Sequence, residues 1–394
     1  MIPAFYEFRS ATKIVSGDNA IEHIAFELEN LGVTRPLVIT DKRILELGLT
    51  RIVLDALADS ELGGAVVFDD VPVDSSVEVA NSVARLFKDR ACDGIVAVGG
   101  GSVLDTAKGA AIVLATGGAD LMELRGSEVL SNMPMPPLVA VPTTAGTGSE
   151  VTGAAVIKDT ARDVKMAFVS FDLQPHVAVL DPRMTLGLPP RITASTAMDA
   201  VVHSVEAASC RQRNPLSDAY AYSAVTLVRE NLDTVLSDGR DKRARLAMAN
   251  AALMAGIAFS NSMVGVVHAI GHACGGVAHV AHGDAMAILL PYCMEFNLDV
   301  CADVYAEILL PLAGADVYAA TAPADRPAAA VAAVRAMLAT CADRGGLPLR
   351  LGEVGVSVSQ IADIARVALG DGSISFNPKD VSLQDAEAIL KAAL

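Results

Sequence analysis

Five short runs rich in β-branched residues punctuate the first 180 positions, and strand-like runs nearly vanish afterwards. They are Pro-Leu-Val-Ile-Thr (36–40), Ala-Val-Val-Phe (65–68), Gly-Ile-Val-Ala-Val (94–98), Pro-Leu-Val-Ala-Val (137–141) and Val-Ala-Val-Leu (177–180). Amphipathic helical pattern lies between several of them, as over 75–90 and 103–115. Strands therefore alternate with helices, and at least part of the sheet is expected to be parallel and covered by helices. Such sheets bind ligands at the carboxyl ends of their strands. Beyond Asp181-Pro182, and above all beyond Leu188-Pro189-Pro190, helical pattern rich in Ala, Leu and Met continues to Leu394. The expectation is an α/β domain over 1–185 with a mostly parallel sheet, then an all-α domain over 186–394. The stretch 313–328, broken by Gly, Pro and Asp, is expected to be a surface connection between helices.

Size supports two domains, since 394 residues at roughly 150 per domain exceed one core. With 52% apolar and 19% charged residues the chain is not disordered. Asp and Glu outnumber Lys and Arg by 46 to 30, a net charge of −16, which is the wrong sign for neutralising phosphate backbones. Nucleic acid is not an expected partner. Six cysteines without a CxxC pair point to a reducing, cytoplasmic setting. The N-terminus has no basic region leading into an apolar one, so no export signal is read there. From Leu246 to Gly283 there is no Asp, Glu, Lys or Arg, long enough to suggest a membrane span. Asn250, Ser260, Asn261 and Ser262 in its middle and four histidines in its second half argue against that reading. Buried helices around a polar site are expected instead.

Two loops at strand ends carry a binding signal. The run 94–98 leads into Gly99-Gly100-Gly101-Ser102, followed by Asp105 and Lys108 on an expected helix. Glycines let a backbone approach a pyrophosphate, and the amides opening a helix carry positive partial charge. A plain tight turn would use the same residues. After 137–141 comes Pro142-Thr143-Thr144-Ala145-Gly146-Thr147-Gly148-Ser149-Glu150, whose hydroxyls and amides suit phosphate or ribose oxygens, or an ordinary capping turn. Asp41 ends the run 36–40, where an acid can accept from ribose hydroxyls and repel the extra phosphate of NADP, or simply cap a helix.

The helical half holds a possible metal set. Asp199 and His203 stand four apart, as do His268 and His272, and His282 follows. Residues four apart share a helix face. Several neutral imidazoles with a carboxylate suit a divalent ion of the Zn or Fe(II) kind rather than Ca or Mg.

These residues closely resemble the iron-containing (group III) alcohol dehydrogenases over nearly the whole chain. The likeness rests on Gly-Gly-Gly-Ser-Val-Leu-Asp-Thr-Ala-Lys (99–108), the threonine loop 142–150, Asp-Ala-Val-Val-His (199–203), His-Ala-Ile-Gly-His (268–272), His-Gly-Asp-Ala-Met-Ala-Ile-Leu-Leu-Pro (282–291) and Asn377-Pro378-Lys379. The resemblance implies a Rossmann-like NAD-binding domain, a helical metal domain and an active-site cleft between them. It implies Asp199, His203, His268 and His282 as metal ligands, with Fe(II) expected and Zn the alternative, and His272 as a proton relay near the nicotinamide. It assigns Gly100, Gly101 and Ser102 to the pyrophosphate, Thr143, Thr144 and Thr147 to the nicotinamide side, Lys165 to the ribose and Asp41 to a preference for NAD. Homo-oligomers, dimers or larger, are usual in the family, and small primary alcohols or aldehydes are the expected substrates.

The departures concern the pockets. Pro72-Val73-Asp74-Ser75-Ser76 stands where many members have Pro-Asn-Pro, so no Asn contact to the cofactor carries over. Ala154, in Gly153-Ala154-Ala155, is smaller than its counterpart in some relatives, and Phe259 matches a substrate-side aromatic or is plain core. Alternatives are a zinc-dependent glycerol dehydrogenase-like polyol oxidoreductase, a dehydroquinate synthase-like lyase, a metallohydrolase or a metal-binding protein without turnover. The last two leave the glycine and threonine loops unexplained.

Overall fold

Alternate side chains of three neighbouring strands enter two separate apolar clusters. Val38, Val96, Val98, Val139 and Val141 join one with Ile21, Ile24 and Leu28, while Leu37, Ile39, Ile95, Ala97, Leu138 and Ala140 join the other with Val83 and Leu104. Side chains alternate with period two along a strand, so runs apolar at every position need cover on both faces. The computed structural model describes residues 3–394 except 61, 63, 119–120, 125–129, 131 and 162–163, and excludes the side chains of Met122, Val164 and Lys165. The chain divides into two units, Arg9–Gly187 and Leu188–Leu394, the second including the residues up to Phe8.

The first unit contains strands β1 (Lys13–Ser16), β2 (Pro36–Ile39), β3 (Val66–Phe68), β4 (Gly94–Gly99), β5 (Leu138–Pro142), β6 (Ala154–Asp159), β7 (Val164–Val169) and β8 (Val177–Leu180). Its helices are α1 (Ile24–Asn30), α2 (Lys42–Glu46), α3 (Leu49–Ala58), α4 (Val77–Asp89) and α5 (Gly101–Ala115). Six strands form one parallel sheet in the order β1-β8-β5-β4-β2-β3. From β2 the chain steps outward to β3, returns to β4 on the other side of β2, then proceeds to β5 and β8. The strand order thus reverses between β2 and β4, where open α/β sheets bind their ligands. The remaining pair, β6 and β7, is an antiparallel hairpin packed on α4 and α5.

In the second unit the Pro189-Pro190 pair starts the helices, with proline tolerated in a first turn because its missing amide has no intrahelical partner there. The helices are α6 (Pro190–Ser209), α7 (Pro215–Ser237), α8 (Lys242–Ser260), α9 (Val266–Ala278), α10 (His282–Ala313), α11 (Ala315–Ala320), α12 (Arg326–Gly345), α13 (Ile361–Ala368) and α14 (Leu383–Ala393). The uncharged run 246–283 is divided between the end of α8, all of α9 and the first residues of α10, with breaks at 261–265 and 279–281. Among the described residues one helix, α10, is long and apolar enough to span a bilayer, but it is largely buried and contains Pro291 and Pro311. The connection at 313–328 is more ordered than expected, because α11 and a 3-10 turn at Pro323–Asp325 occupy it.

Gly153 enters β6 where Ser170 crosses: the Ser170 amide donates to the Gly153 carbonyl at 2.8 Å, and a Cβ on residue 153 would lie 2.3 Å from the Ser170 carbonyl oxygen. A backbone oxygen cannot rotate away. Gly153→Ala should therefore cost about 1–3 kcal/mol by overpacking and lower the melting temperature by several degrees. An unchanged melting curve would refute so close an approach.

Candidate functional site

The first unit gathers three loops at the carboxyl ends of adjacent strands. Asp41 follows β2, Gly100-Gly101-Ser102 follows β4 and the threonine loop follows β5. The glycines sit directly against the threonines. A Cβ on Gly100 would lie 3.4 Å from Thr144, and one on Gly101 would lie 3.1 Å from the Thr147 methyl. Gly100 opens α5 without a side-chain cap, so the first amides of that helix are not engaged by a side chain at the N-cap. The Thr143 amide donates to Gly99 at 3.0 Å, and Thr143 Oγ1 is buried without a hydrogen-bond partner.

Two expected cofactor contacts have protein partners of their own. The Ser102 hydroxyl donates to the Val73 carbonyl, tying the loop after β3 to the glycine turn. That loop is also held by the Ser75 hydroxyl, which donates to Val156 O at 2.6 Å. Asp41 caps α2, accepting from the Ile44 amide at 2.8 Å, and it stands beside Asp70, itself paired with Lys42. Capping uses Oδ1, so the acid keeps a second oxygen for a ligand. Lys165 pairs in register with Lys158 across the hairpin, but its side chain lies outside the described residues. Ala154 lies at the start of β6 and its carbonyl accepts from Lys108.

In the second unit one face of α6 carries Asp199, His203 and Glu206, spaced four and then three apart, so their side chains stack along one stripe. Helix α9 contributes His268 and His272, and α10 begins at His282. One ligand atom from each of Asp199, His268 and His282 lies within 4.8 Å of the other two. Asp199 Oδ1 is 3.4 Å from His282 Nε2 and 3.9 Å from His203 Nδ1. The His203 ring lies 4.7 Å from that of His268 and stacks on Phe259 at 4.2 Å, so Phe259 packs against a candidate ligand. Asp199 Oδ1 and His268 Nε2 are buried and have no hydrogen-bond partner. Burial pushes the His268 imidazole well below its ordinary pKa, keeping it neutral and its ring nitrogen available. Burial alone would raise the Asp199 carboxyl, but His203 and His282 beside it outweigh burial and hold it below the usual carboxylate range. A buried carboxylate oxygen and a neutral ring nitrogen, both without hydrogen-bond partners, are what a divalent cation needs, so these residues fit a metal.

Groups around the cluster hold its members in place. Glu206 Oε2 lies 2.5 Å from His268 Nδ1, and its Oε1 accepts from the Val267 amide at 2.7 Å. A carboxylate on Nδ1 favours the tautomer that leaves Nε2 for a metal. Burial raises Glu206 to about 7 against the opposing pull of the backbone amides of Gly265 and Val267. Asp371 Oδ2 lies 2.8 Å from His272 Nδ1; burial would raise this acid, but His272 and the Ser373 amide hold it below the usual range. Asn377 Oδ1 accepts from the Val266 amide at 3.3 Å, and a Cβ on Gly265 would meet that oxygen at 3.0 Å. The start of α10 is fixed by Asp284, which accepts from Arg191 at 2.9 and 2.5 Å and from Ser195 at 3.0 Å. The reading of the sequence missed Glu206, Asp371 and Asp284. Glu206 had a detectable signal in its spacing from Asp199 and His203.

Comparison with known proteins identifies the family. The family model described as iron-containing alcohol dehydrogenase matches residues 11–182, and that of the C-terminal part of the Fe-containing alcohol dehydrogenase family matches 193–394. The chain is 35% identical over 380 residues to the NAD-dependent methanol dehydrogenase of Bacillus methanolicus, covering 96% of this chain and 97% of that protein. It is 37% identical over 380 residues to a 1,3-propanediol dehydrogenase of Klebsiella pneumoniae, covering 96% of each. A crystal structure of 1,3-propanediol oxidoreductase superposes with a TM-score of 0.93 at 34% identity, covering 99% of this chain and all of that one. The fold and these matches together define an oxidoreductase acting on CH–OH donors. The chain belongs to the iron-containing alcohol dehydrogenase family, whose members imply NAD and a divalent metal.

Two consequences can be measured. Glu206→Ala leaves His268 Nδ1 without its carboxylate and should weaken metal binding by about 10–100-fold in a chelator competition. Unchanged affinity in the folded variant would remove Glu206 from that role. Glu150, 2% exposed, is raised by burial to about 7, while burial lowers Lys108 to about 8. As pH rises from the unfolded value of 4.5 toward 7, the unfolded chain has released a proton that folded Glu150 retains, so stability falls. Between 8 and 10.5 unfolded Lys108 holds a proton that the folded chain has released, so stability recovers. The stabilising effect of Glu150→Gln should therefore grow between pH 5 and 7. A melting difference that stays constant with pH would contradict the assignment.

Proposed function

We propose that this chain is a metal-dependent, NAD(H)-linked dehydrogenase that interconverts a small primary alcohol and its aldehyde, with Fe(II) as its metal. The observation that carries the reading is the convergence of Asp199, His268 and His282 within 4.8 Å, with Asp199 Oδ1 and His268 Nε2 buried and without hydrogen-bond partners. His282 is substantially exposed, which favours a catalytic centre with room for a substrate over a closed structural one.

Asp199, His203, His268 and His282 hold the ion, and Glu206 keeps His268 in the tautomer that faces it. When bound, the ion acts as a Lewis acid on the substrate oxygen and NAD accepts the hydride. Gly100 and Gly101 would admit the pyrophosphate to the first amides of α5, with Ser102 beside them; Thr143, Thr144 and Thr147 would line the nicotinamide side, and the family resemblance assigns Lys165, whose side chain lies outside the described residues, to the ribose. The second oxygen of Asp41 accepts from the adenosine ribose, and its charge, with Asp70 beside it, disfavours NADP. His272 takes the proton that leaves the alcohol, its ring held by Asp371 through Nδ1. Ala154 and Phe259 contribute to the substrate side, and the absence of bulk at residue 154 favours a roomier pocket. The enzyme is further proposed to work as a cytoplasmic homo-oligomer without nucleic acid or membrane partners.

Anaerobically prepared, iron-loaded enzyme should reduce NAD+ with small primary alcohols, followed by NADH absorbance, and a chelator should abolish the activity. His272→Ala should retain its metal but lose about 100-fold in kcat, most strongly at low pH in the oxidation direction. Turnover indifferent to chelator would sink the metal reading, and a pH-independent response of the His272 variant would sink the relay.

A further inference from the structure

Lys108 lies wholly inside the first unit, two turns into α5, and no role above uses it. Its ammonium donates to Ser149 Oγ at 2.9 Å, Thr152 O at 2.9 Å, Thr152 Oγ1 at 3.1 Å and Ala154 O at 2.7 Å. Asp105, one turn earlier on the same helix, accepts from Ser149 Oγ at 2.8 Å and from the Val156 amide at 3.0 Å. One face of α5 therefore grips the chain at 149, 152, 154 and 156. Ser149 is the link between the two charges, donating to one and accepting from the other.

The gripped segment is the far end of the threonine loop. Its near end is held where the Thr143 amide donates to Gly99. Between these anchors, Thr144 and Thr147 rest against Gly100 and Gly101 at the start of α5. The same helix thus presents the glycine turn with its first residues and restrains the facing loop with Asp105 and Lys108. Burying an ammonium is costly unless it is fully engaged, and all four acceptors found here belong to the loop or the strand it enters. An apolar residue would fill this volume without the cost of desolvation, but it could not hold the loop in register.

We propose that Lys108 is a positioning residue for the dinucleotide: with Asp105, through Ser149 and Thr152, it fixes the threonine loop against the glycine turn and so sets NAD affinity without touching the nucleotide. The inference rests on the reading that NAD binds at the glycine turn. Its effect should appear in cofactor binding and leave the metal centre, which belongs to the other unit, unaltered.

The test measures NAD+ affinity by calorimetry on metal-loaded wild type, Lys108→Met, Ser149→Ala and the double variant, with metal content and melting temperature recorded for each. Lys108→Met should raise the Kd and the KM for NAD+ about tenfold, the scale of one lost charged hydrogen bond. Its metal content, and kcat at saturating NAD+, should stay near wild type. Ser149→Ala should shift affinity in the same direction, and the double variant should fall short of the product of the two effects, because both residues act through one network. A merely structural lysine would lower the melting temperature and leave the Kd unchanged, which overturns the proposal. If Lys108→Met does not fold, Ser149→Ala decides, and wild-type affinity in that variant overturns it equally. A wild type that binds no NAD+ refutes the nucleotide reading and the clamp together, whereas equal affinity in variants of an NAD+-binding wild type refutes the clamp alone.

Discussion

Two polar atoms buried without hydrogen-bond partners, Asp199 Oδ1 and His268 Nε2, set the terms for the helical unit. Leaving such groups unpaired costs about 1–3 kcal/mol each, and more for a charged one. The surrounding sequence sharpens that cost rather than relieving it. Helices α8 and α9 bring apolar and small residues to the cluster, and the described groups acting on Asp199 are histidines, with no lysine or arginine among them. Two carboxylates engage the opposite side of an imidazole, Glu206 at His268 Nδ1 and Asp371 at His272 Nδ1. They determine which nitrogen faces inward, and a cation satisfies what remains.

The α/β unit meets a different constraint. Its sheet is covered on both faces, so ligand recognition is confined to the strand ends, and the reversal of strand order places β2, β4 and β5 side by side. Three loops that are far apart in the chain thereby become neighbours. Their packing uses glycine where a side chain would intrude: a Cβ at Gly101 would press on Thr147, and one at Gly153 would collide with the Ser170 carbonyl. The loop 72–76 is drawn into the same assembly through Ser102 and Ser75, although it lacks the asparagine expected there. Its main-chain carbonyl at Val73 and the Ser75 hydroxyl now make the contacts that fix it.

Elements with a strong local signature were legible in the sequence. The five β-branched runs are strands, and the loops after 94–98 and 137–141, read as lying at strand ends, are neighbours because β4 pairs with β5. The edge strand β1 was missed because Lys-Ile-Val-Ser is four residues long and mostly exposed, so its pairing with β8 outweighs a weak local preference. The β6–β7 hairpin was missed because its alternation is interrupted by small and charged residues, Ala154, Lys158 and Asp159 among them. For the candidate site, histidines four apart were readable because helical spacing is local. Asp371 was not, and Asn377 stood out as part of a motif but not for its contact, since each meets α9 from about 100 residues away: 99 between Asp371 and His272, 111 between Asn377 and Val266. Asp41 had two readings, and capping and ligand binding prove compatible because a carboxylate has two oxygens.

The origin of the partners also bears on how the helical unit forms. The uncharged run 246–283 supplies imidazoles but no acid, and among the described residues the carboxylates that meet those rings come from elsewhere: Asp199 and Glu206 from α6, Asp371 from the segment after α13. Asp199 and His203 are local to α6, but His268 and His282 belong to α9 and α10, so no single helix supplies the donor set. A cation therefore meets its full donor set only after α6, α9 and α10 have packed, so its binding energy adds to the folded state and hardly at all to the unfolded chain. Before that packing the run is merely apolar, which explains why it resembles a membrane span in composition. Once packed, the imidazoles that made a bilayer unsuitable face the carboxylates they require. The charge-free run and the metal cluster are thus two aspects of one arrangement, in which α9 carries histidines without acids and the carboxylates that meet them come from α6 and from the segment after α13.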